Sequence, residues 1–205
     1  MKRISIVSSS RADYGILKYL IVKLQKDSSI KLNFYVTGSH LNTSFGNTVK
    51  EIYRDKLKIN RKIPMNFGNG RNINVSKVIS QGITNFSKIF YKDKSDLIII
   101  LGDRYEIFSV AIAAMVSQVP IAHLHGGELT KGAIDESIRH SISKMSHIHF
   151  VSTNEYYKRL IQLGEKKEFV FNVGSLGVEN LKKIKLLTIS EIRNNYCLLY
   201  TSPSP

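Results

Sequence analysis

One stretch of the chain decides the fold: Leu97-Ile98-Ile99-Ile100-Leu101-Gly102-Asp103-Arg104. Five apolar residues in a row are typical of a strand that is buried on both faces of a parallel sheet. The residues Gly102, Asp103 and Arg104, which suit a polar site, follow at once. In open α/β sheets, ligands bind outside the carboxyl ends of the strands. The stretch therefore predicts a central parallel strand whose end faces a ligand.

The rest of the chain repeats this rhythm of short apolar runs and longer amphipathic segments. The predicted strands are residues 4–7, 32–36, 97–101, 120–124, 149–151 and 169–173, and the predicted helices are residues 14–26, 45–53, 75–91, 107–115, 134–145 and 156–163. Residues 59–70 have no clear pattern, and Gly68-Asn69-Gly70 predicts a mobile loop. Alternating strands and helices imply βαβ units with right-handed crossovers. The predicted fold class is α/β, a Rossmann-like parallel sheet with helices on both faces.

The composition is that of an ordinary globular chain of 205 residues. Hydrophobic residues make up 42% and charged residues 22% of it, close to globular averages of about 45–50% and 25%. The apolar runs are far shorter than the roughly 18 residues that cross a bilayer, so no membrane partner is expected. The amino-terminus has the charges of a signal peptide without its apolar core. A single cysteine, Cys197, excludes an internal disulfide framework and a multi-cysteine metal site, which makes the cytoplasm the expected compartment.

The chain is strongly basic, since thirty Lys and Arg residues stand against sixteen Asp and Glu residues and give a formal net charge of +14. Such a charge admits a nucleic-acid-binding module. However, no aromatic residues interleave with Lys and Arg as in RNA-recognition motifs, and no zinc-finger spacing of Cys and His occurs. A basic face that attracts an anionic small substrate accounts for the same charge. We therefore expect no nucleic-acid partner.

Two clusters of chemically active residues follow predicted strands. The carboxylate of Asp103 could act as a base, an acid or a substrate anchor, or it could simply cap the next helix. In His125-Gly126-Gly127-Glu128 the glycines would let backbone approach a ligand, and Glu128 is a candidate acid or base. His123, His125 and Glu128 lie within six positions, but no third type of metal ligand is evident, so no metal is expected.

Charged residues also mark two predicted helix starts. Asp135 and Arg139 are four residues apart, so they share a helix face and can pair; ordinary charge complementarity at a helix start is the alternative. Residues 8–15 match neither a dinucleotide fingerprint nor a Walker loop, so no dinucleotide cofactor is expected. Their hydroxyl groups and Arg11 at a helix amino-terminus still suit a phosphate, and simple capping of the helix is again the alternative.

Five motifs stand in order along the chain: Ser9-Ser10-Arg11-Ala12-Asp13-Tyr14-Gly15, Leu101-Gly102-Asp103-Arg104-Tyr105-Glu106-Ile107, His123-Leu124-His125-Gly126-Gly127-Glu128, Asp135-Glu136-Ser137-Ile138-Arg139-His140-Ser141-Ile142-Ser143-Lys144 and Val173-Gly174-Ser175-Leu176-Gly177-Val178-Glu179-Asn180. Together they resemble the hydrolysing UDP-N-acetylglucosamine 2-epimerases of bacterial sialic and legionaminic acid biosynthesis. The likeness runs from residue 1 to about residue 185 with compatible spacing.

The resemblance implies the N-terminal half of a glycosyltransferase-B-like two-domain fold with the active site between the domains. It implies UDP-N-acetylglucosamine as substrate, free N-acetylmannosamine and UDP as products, and neither a nicotinamide cofactor nor a metal. It also implies a homo-oligomer for the full-length protein. The alternatives are the same chemistry on a UDP-2,4-diacetamido sugar, and a non-hydrolysing epimerase or glycosyltransferase of the same fold.

The resemblance also implies roles for residues of the five motifs. The candidate catalytic residues are Asp103, Glu128, Asp135, Arg139 and His125, and the candidate substrate-binding residues are Arg11, Asp13, Gly102, Arg104, Gly126, Gly127, Gly174 and Ser175. Arg11 matches a position that contacts the nucleotide phosphates. In another branch of the family a catalytic Glu stands where this chain has His125. Either His125 replaces that Glu or Glu128 takes over its role.

The domain organisation is expected to change near the end of the chain. Residues 1–185 are expected to form the Rossmann-like N-terminal domain. Residues 186–205 are expected to begin an interdomain linker and then to become a non-native tail, with the break near Arg193. The second domain, which in the family supplies most uridine and diphosphate contacts, is expected to be absent, so this chain alone is expected to be inactive.

Overall fold

Strands and helices alternate along the chain in the computed structural model, which describes residues 1–67, 74–130, 132–182 and 188–196. The strands are β1 (Lys2–Ser8), β2 (Ile30–Thr37), β3 (Arg61–Ile63), β4 (Leu97–Leu101), β5 (Ile121–Leu124), β6 (Ile148–Val151) and β7 (Val170–Asn172). The α-helices are α1 (Arg11–Lys26), α2 (Val49–Arg54), α3 (Val75–Asp93), α4 (Tyr105–Val116), α5 (Ile134–Met145), α6 (Asn154–Gln162), α7 (Leu176–Leu181) and α8 (Ile189–Tyr196).

The strands form one parallel sheet in the order β3-β2-β1-β4-β5-β6-β7. The chain starts at β1, builds outward to β3, returns to the other side of β1 as β4 and builds outward to β7. The strand order therefore reverses between β1 and β4. The carboxyl ends of these two strands border a crevice of the kind that binds ligands in doubly wound sheets. This arrangement confirms the predicted fold class.

The two faces of β4 pack into different hydrophobic cores. Ile98 and Ile100 belong to the core formed with α3 and α4, whereas Ile99 and Leu101 belong to the core formed with α1. None of the four side chains is more than 8% exposed. Full burial of an isoleucine or leucine contributes about 1.5–3 kcal/mol. The apolar run is thus a central strand because helices cover both of its faces.

The structure departs from the predicted elements between β2 and α3. The predicted helix at residues 45–53 is a short 3₁₀ turn, Thr43–Phe45, followed by α2, because Gly46 adopts a left-handed conformation (φ 82°) that separates them. Strand β3 was not predicted, because it is a three-residue edge strand with two exposed residues and has no recognisable alternation. The predicted mobile loop Gly68-Asn69-Gly70 lies outside the described residues.

The last part of the chain contains two helices that the pattern did not predict. Helix α7 follows β7 after a short turn, and α8 continues to Tyr196, beyond Ile192, where the helical pattern was expected to stop. Residues 197–205, the expected non-native tail, lie outside the described residues. Among the helices that the structure describes, none is both long and apolar enough to cross a membrane.

Candidate active site

The loop between β1 and α1 is held together by its own side chains. Ser10 is the N-cap of α1, and its Oγ accepts a hydrogen bond from the backbone N–H of Asp13 at 3.3 Å. The Asp13 carboxylate in turn accepts hydrogen bonds from the Ser9 N–H, the Ser9 hydroxyl and the Ser10 hydroxyl at 3.0, 2.5 and 2.8 Å. These bonds satisfy groups that a helix start leaves open, so α1 begins at Arg11, earlier than predicted. The capping alternative is confirmed for Ser10, and Asp13, a candidate for substrate binding, is buried and holds this loop.

Arg11 lies at the rim of the crevice. Its side chain is 74% exposed, and its Nε lies 3.1 Å from the Glu51 carboxylate. Together with Ser39, Arg104 and Tyr105 it lines a pocket of about 440 Å³. An exposed guanidinium in the first turn of a helix can reach a phosphate group. Its role in phosphate binding stays a prediction.

The centre of the site is an ion pair between Asp103, which follows β4, and Arg139 of α5. The two side chains are 18% and 8% exposed. The N-cap of α4 is Arg104, and it makes no side-chain capping bond. The capping alternative for Asp103 is therefore wrong, because its carboxylate accepts a hydrogen bond from an arginine on another helix.

The expected pair between Asp135 and Arg139 is wrong as well, because Arg139 pairs with Asp103 instead. A pair four residues apart on an isolated helix contributes only about 0.2–0.5 kcal/mol. The Asp103–Arg139 pair is largely buried, with side chains that are 18% and 8% exposed, so its attraction is weakened less by water. Asp135 is nevertheless close enough for its charge to act on Asp103.

The surroundings of Asp103 suit a proton-exchanging group. Burial raises the pKa of its carboxyl above the ordinary value, the positive charge of Arg139 opposes this, and the negative charges of Asp135 and Glu128 raise the pKa further. An acid with a raised pKa holds and releases its proton closer to neutral pH. Arg139 Nε and Nη1 are buried and have no hydrogen-bond partner among the described residues. Buried donors without partners in a cleft are candidates for contacts with a ligand.

Glu106 is a residue that the sequence analysis did not select. Its side chain is wholly buried, and its Oε1 accepts a hydrogen bond from Arg104 at 2.9 Å. Burial raises the pKa of Glu106, and Arg104 opposes that rise. The pair holds the Arg104 side chain at the pocket that it lines together with Arg11. A glutamate in the first turn of a helix is common, so Glu106 did not attract notice in the sequence. The available signal was its position among the apolar residues of α4.

His123 was considered only as a metal ligand, but the structure shows that it positions the loop after β4. Its side chain is wholly buried on β5. Its Nε2 donates to the carbonyl oxygen of Gly102 at 2.8 Å, and its Nδ1 lies 3.2 Å from the hydroxyl of Ser143. Burial lowers its pKa to about 3. A neutral His123 therefore fixes Gly102, which has a positive φ of 74°, beside Asp103.

We expect the protein to lose stability as the pH falls from about 6.5 towards 4. His123 and His40 have lowered pKa values of about 3 and about 4 in the folded protein, in both cases through burial, against about 6.5 in an unfolded chain. The unfolded state therefore binds more protons in this window, and each histidine lowers the free energy of unfolding by up to about 1.4 kcal/mol per pH unit. Thermal unfolding followed by circular dichroism across this window measures the slope. His123→Asn, which cannot take up the proton, should flatten it, and an unchanged slope would contradict the assignment of a neutral His123.

The turn after β5 is strained at His125, which has a left-handed backbone conformation with φ 63°. This conformation costs a non-glycine residue roughly 1–2 kcal/mol. The backbone N–H of His125 donates to the carbonyl oxygen of Phe150 at 2.9 Å, and its Nδ1 lies 2.9 Å from Glu128 Oε1. Strain of this kind is common at functional sites, where the surrounding structure maintains it.

The two glycines of this turn pack closely against the protein itself. A Cβ atom on Gly127, whose φ is 75°, would lie 2.6 Å from the carbonyl oxygen of Tyr156, and a Cβ atom on Gly126 would lie 3.0 Å from Nδ1 of His123. Internal packing is thus sufficient reason for a glycine at either position. That these residues also approach a substrate stays a prediction.

Most of the predicted site residues meet in one cleft of about 180 Å³ at the carboxyl ends of β1, β4 and β5. It is lined by Ala12, Asp13, Ile16, Leu101, Gly102, Asp103, Arg104, His125, Glu128 and Arg139. Gly174 instead lines a neighbouring apolar cavity of about 190 Å³, to which His125 also contributes, and Ser175 is the N-cap of α7 without a side-chain capping bond. Within the described ranges, no three His, Cys, Asp or Glu residues are placed to hold a metal ion.

A doubly wound parallel sheet with acidic groups and a guanidinium gathered at its switch point defines the class of Rossmann-like α/β domains with a ligand cleft. Within that class, the chain belongs to the UDP-N-acetylglucosamine 2-epimerase family, whose model matches residues 22–201.

Individual relatives support this membership. The chain is 46% identical, over 93% of its length, to a GDP/UDP-N,N'-diacetylbacillosamine 2-epimerase (hydrolyzing) of Campylobacter jejuni, and 43% identical, over 96%, to the polysialic acid biosynthesis protein P7 of Escherichia coli. It covers 50% of each of these proteins, so the chain spans about half the length of the curated relatives it matches. The crystal structure of UDP-GlcNAc 2-epimerase from Neisseria meningitidis bound to UDP-GlcNAc shares the fold, with a TM-score of 0.78 at 20% identity over 98% of this chain and 55% of that one. The fold is that of half of a glycosyltransferase-B-like protein.

Proposed function

We propose that the full-length protein is a hydrolysing 2-epimerase that converts UDP-N-acetylglucosamine into free N-acetylmannosamine and UDP, in the cytoplasm and for the synthesis of a sialic-acid-type sugar. The observation that carries this proposal is the meeting of Asp103, Glu128 and Arg139 in one cleft at the switch point of the sheet. Membership of the 2-epimerase family supports the reaction class. A homo-oligomeric state and the independence from nicotinamide and metal belong to the same proposal.

The proposed reaction needs charged groups of both signs around one sugar. As the C1–O bond to UDP breaks, positive charge develops on C1 and the proton on C2 becomes removable, which gives a 2-acetamidoglucal. Water then adds at C1, and C2 regains a proton on the opposite face, which gives the manno product. The candidate proton-transfer groups are Asp103, Asp135 and either His125 or Glu128, because carboxylates in different surroundings can hold different protonation states. Arg11 and the unpartnered donors of Arg139 would bind the leaving diphosphate.

The proposal predicts where solvent hydrogen enters the product. The full-length protein, incubated with UDP-N-acetylglucosamine in deuterated water and followed by NMR, should release UDP together with a manno sugar that carries deuterium at C2. A UDP-linked manno sugar without free UDP would indicate a non-hydrolysing epimerase, and sugar transfer to an added acceptor would indicate a glycosyltransferase. Steeply salt-dependent DNA binding without any turnover would favour a basic nucleic-acid-binding module.

A second candidate substrate is a UDP-2,4-diacetamido sugar. The name of the Campylobacter jejuni relative, a diacetylbacillosamine 2-epimerase, favours it. The elimination is the same for both sugars because the second acetamido group is on C4, away from the reacting C1 and C2. A comparison of kcat/KM for the two UDP-sugars decides between them.

A further inference from the structure

We propose that Glu128 removes the C2 proton in the cleft, and that His125 and Ser152 are positioning residues that hold its carboxylate. This assignment rests on the proposed function, which left the choice between His125 and Glu128 open. In the step, the C2–H bond breaks and its electron pair forms the C1=C2 double bond. The C1–O bond to UDP breaks at the same time, and the proton passes to the Glu128 carboxylate.

The first argument concerns the two oxygens of the Glu128 carboxylate, because His125 and Ser152 both bind to the same one. Two hydrogen bonds end on the same oxygen of Glu128, since Nδ1 of His125 lies 2.9 Å and the hydroxyl of Ser152 lies 3.0 Å from Oε1. The other oxygen, Oε2, receives neither of these hydrogen bonds, and it is not among the buried side-chain atoms that lack a partner. Because Glu128 lines the cleft with a side chain that is 25% exposed, Oε2 is the oxygen that we expect to face a substrate.

The second argument is the burial of His125. Its Nδ1 faces Glu128, and a carboxylate can only accept a hydrogen bond, so Nδ1 carries the proton and donates. The remaining ring nitrogen, Nε2, is buried and has no partner within the described part of the chain. Nε2 has almost no accessible surface, so it could take a proton only after the ring moved, whereas the Glu128 side chain is 25% exposed in the cleft. Among the described residues, the polar contact that the His125 side chain makes is therefore the one with Glu128.

The third argument is the rigidity of the support. Ser152 directly follows β6, and the backbone N–H of His125 is bonded to the Phe150 carbonyl oxygen of the same strand. The two donors to Glu128 thus come from the ends of two adjacent strands, β5 and β6. The backbone of His125 is left-handed at this point, with φ 63°. Groups held on the ends of strands keep their geometry better than groups on free loops.

The charges around Glu128 favour its ionised form. Burial raises its pKa, but the hydrogen bonds from His125 and Ser152 and the charge of Arg139 together lower the pKa below the ordinary value. Asp103 is the acidic group that faces it across the cleft, and its pKa is raised by burial first and by Glu128 among others. The pKa values of the two carboxyl groups are thus shifted in opposite directions, as a division into base and acid requires.

Paired substitutions at position 125 separate positioning from proton transfer. In His125→Asn, the side-chain amide can still donate to Glu128, and asparagine tolerates a positive φ; in His125→Ala the donor is lost. We expect His125→Asn to keep kcat within about tenfold of the wild type, His125→Ala to lose clearly more, and Glu128→Gln to lose about 10²–10⁴-fold. Glu168→Gln, a change of the same kind at an exposed residue before β7, is the control and should leave kcat unchanged.

The pH profile supplies a readout that a purely structural role would not move. Loss of either donor, in His125→Ala or Ser152→Ala, should shift the acid limb of kcat/KM to higher pH, because the Glu128 carboxylate loses a bond that favours its ionised form. Equal inactivity of His125→Asn and His125→Ala together with an active Glu128→Gln would overturn the assignment and make His125 the base.

A carboxyl titration by ¹³C NMR tests the pair independently of the reaction. The Glu128 carboxyl should titrate below the ordinary range of a glutamate in the wild type and higher in His125→Ala and Ser152→Ala. If neither UDP-sugar is consumed by the wild type, the proposed function fails, yet this titration still shows whether His125 and Ser152 hold Glu128. An unchanged Glu128 pKa in both variants would overturn their positioning role.

Discussion

Asp103→Asn is expected to lower the turnover of UDP-sugar by the full-length protein about 10²–10⁴-fold, including the formation of the glucal, while the protein still folds. Asp103 lines the cleft beside Arg139. Its carboxylate can steady the positive charge that develops on C1 and can exchange a proton, and asparagine can do neither. Release of UDP and of free sugar, each followed by NMR, measures the loss.

The same substitution should cost the protein less stability than removal of Arg139 does. Because burial raises the pKa of Asp103, the native state binds the proton more tightly than the unfolded chain, and the ionised group costs stability once the pH is above its folded pKa. Asparagine lacks this cost and still offers Arg139 an oxygen acceptor. It leaves the largely buried Arg139 guanidinium without a counter-charge, so we expect the Tm of Asp103→Asn near neutral pH to lie slightly below that of the wild type and above that of Arg139→Met.

A control and a contrary outcome complete this test. Asp27→Asn changes an exposed aspartate at the carboxyl end of α1 and should leave turnover unaltered. Wild-type turnover in the Asp103 variant would remove this residue from the mechanism. A collapse of the Tm would mean that the lost turnover reports unfolding rather than chemistry.

Unlike Asp103→Asn, Arg139→Met should cause a large loss of stability as well as a loss of turnover. Only 8% of the Arg139 side chain is exposed, and its removal leaves the largely buried Asp103 carboxylate without its partner. Breaking a buried ion pair by removing one member costs about 3 kcal/mol or more. The cost should be smaller at low pH, because an unpaired Asp103 then takes up a proton. Chemical denaturation at neutral and at acidic pH measures both effects.

The double variant Asp103→Asn/Arg139→Met tests whether the two residues act as a pair. If they do, its loss of stability should be smaller than that of Arg139→Met alone, because no buried carboxylate is left unpaired. Losses that simply add would show that the two side chains stabilise the fold independently. We expect removal of Arg139 to raise the pKa of Asp103. If the two side chains act independently, this rise should be absent.

The fold was predictable because its signals are local. The five apolar residues of β4 and the helical spacing of α5 predicted these two elements with the bounds that the structure has, Leu97–Leu101 and Ile134–Met145. Burial on both faces of a sheet or on one face of a helix leaves a periodic trace in the sequence. Strand β3 leaves no such trace, because it is short, lies at the edge and exposes two residues.

The residues of the candidate site could be predicted from the sequence, but the contacts between them could not. Asp103, Glu128 and Arg139 were selected because polar residues after parallel strands and at helix starts gather at one edge of the sheet. Their pairing was not foreseen, because sequence spacing ranks only neighbours within one helix. The spacing therefore predicted an ion pair between Asp135 and Arg139, whereas in the structure Arg139 pairs with Asp103.

The sequence by itself determined that this chain forms a parallel α/β sheet with acidic and basic side chains at the ends of its strands, because hydrophobic periodicity and strand-end chemistry are properties of consecutive residues. The tertiary structure alone decided that Arg139 neutralises Asp103, that a buried His123 holds Gly102, and that His125 and Ser152 hold one oxygen of Glu128. Each of these contacts joins segments whose separation and burial depend on how the strands line up in the sheet. The strength of a charge–charge contact is set by that burial, which a linear pattern does not contain.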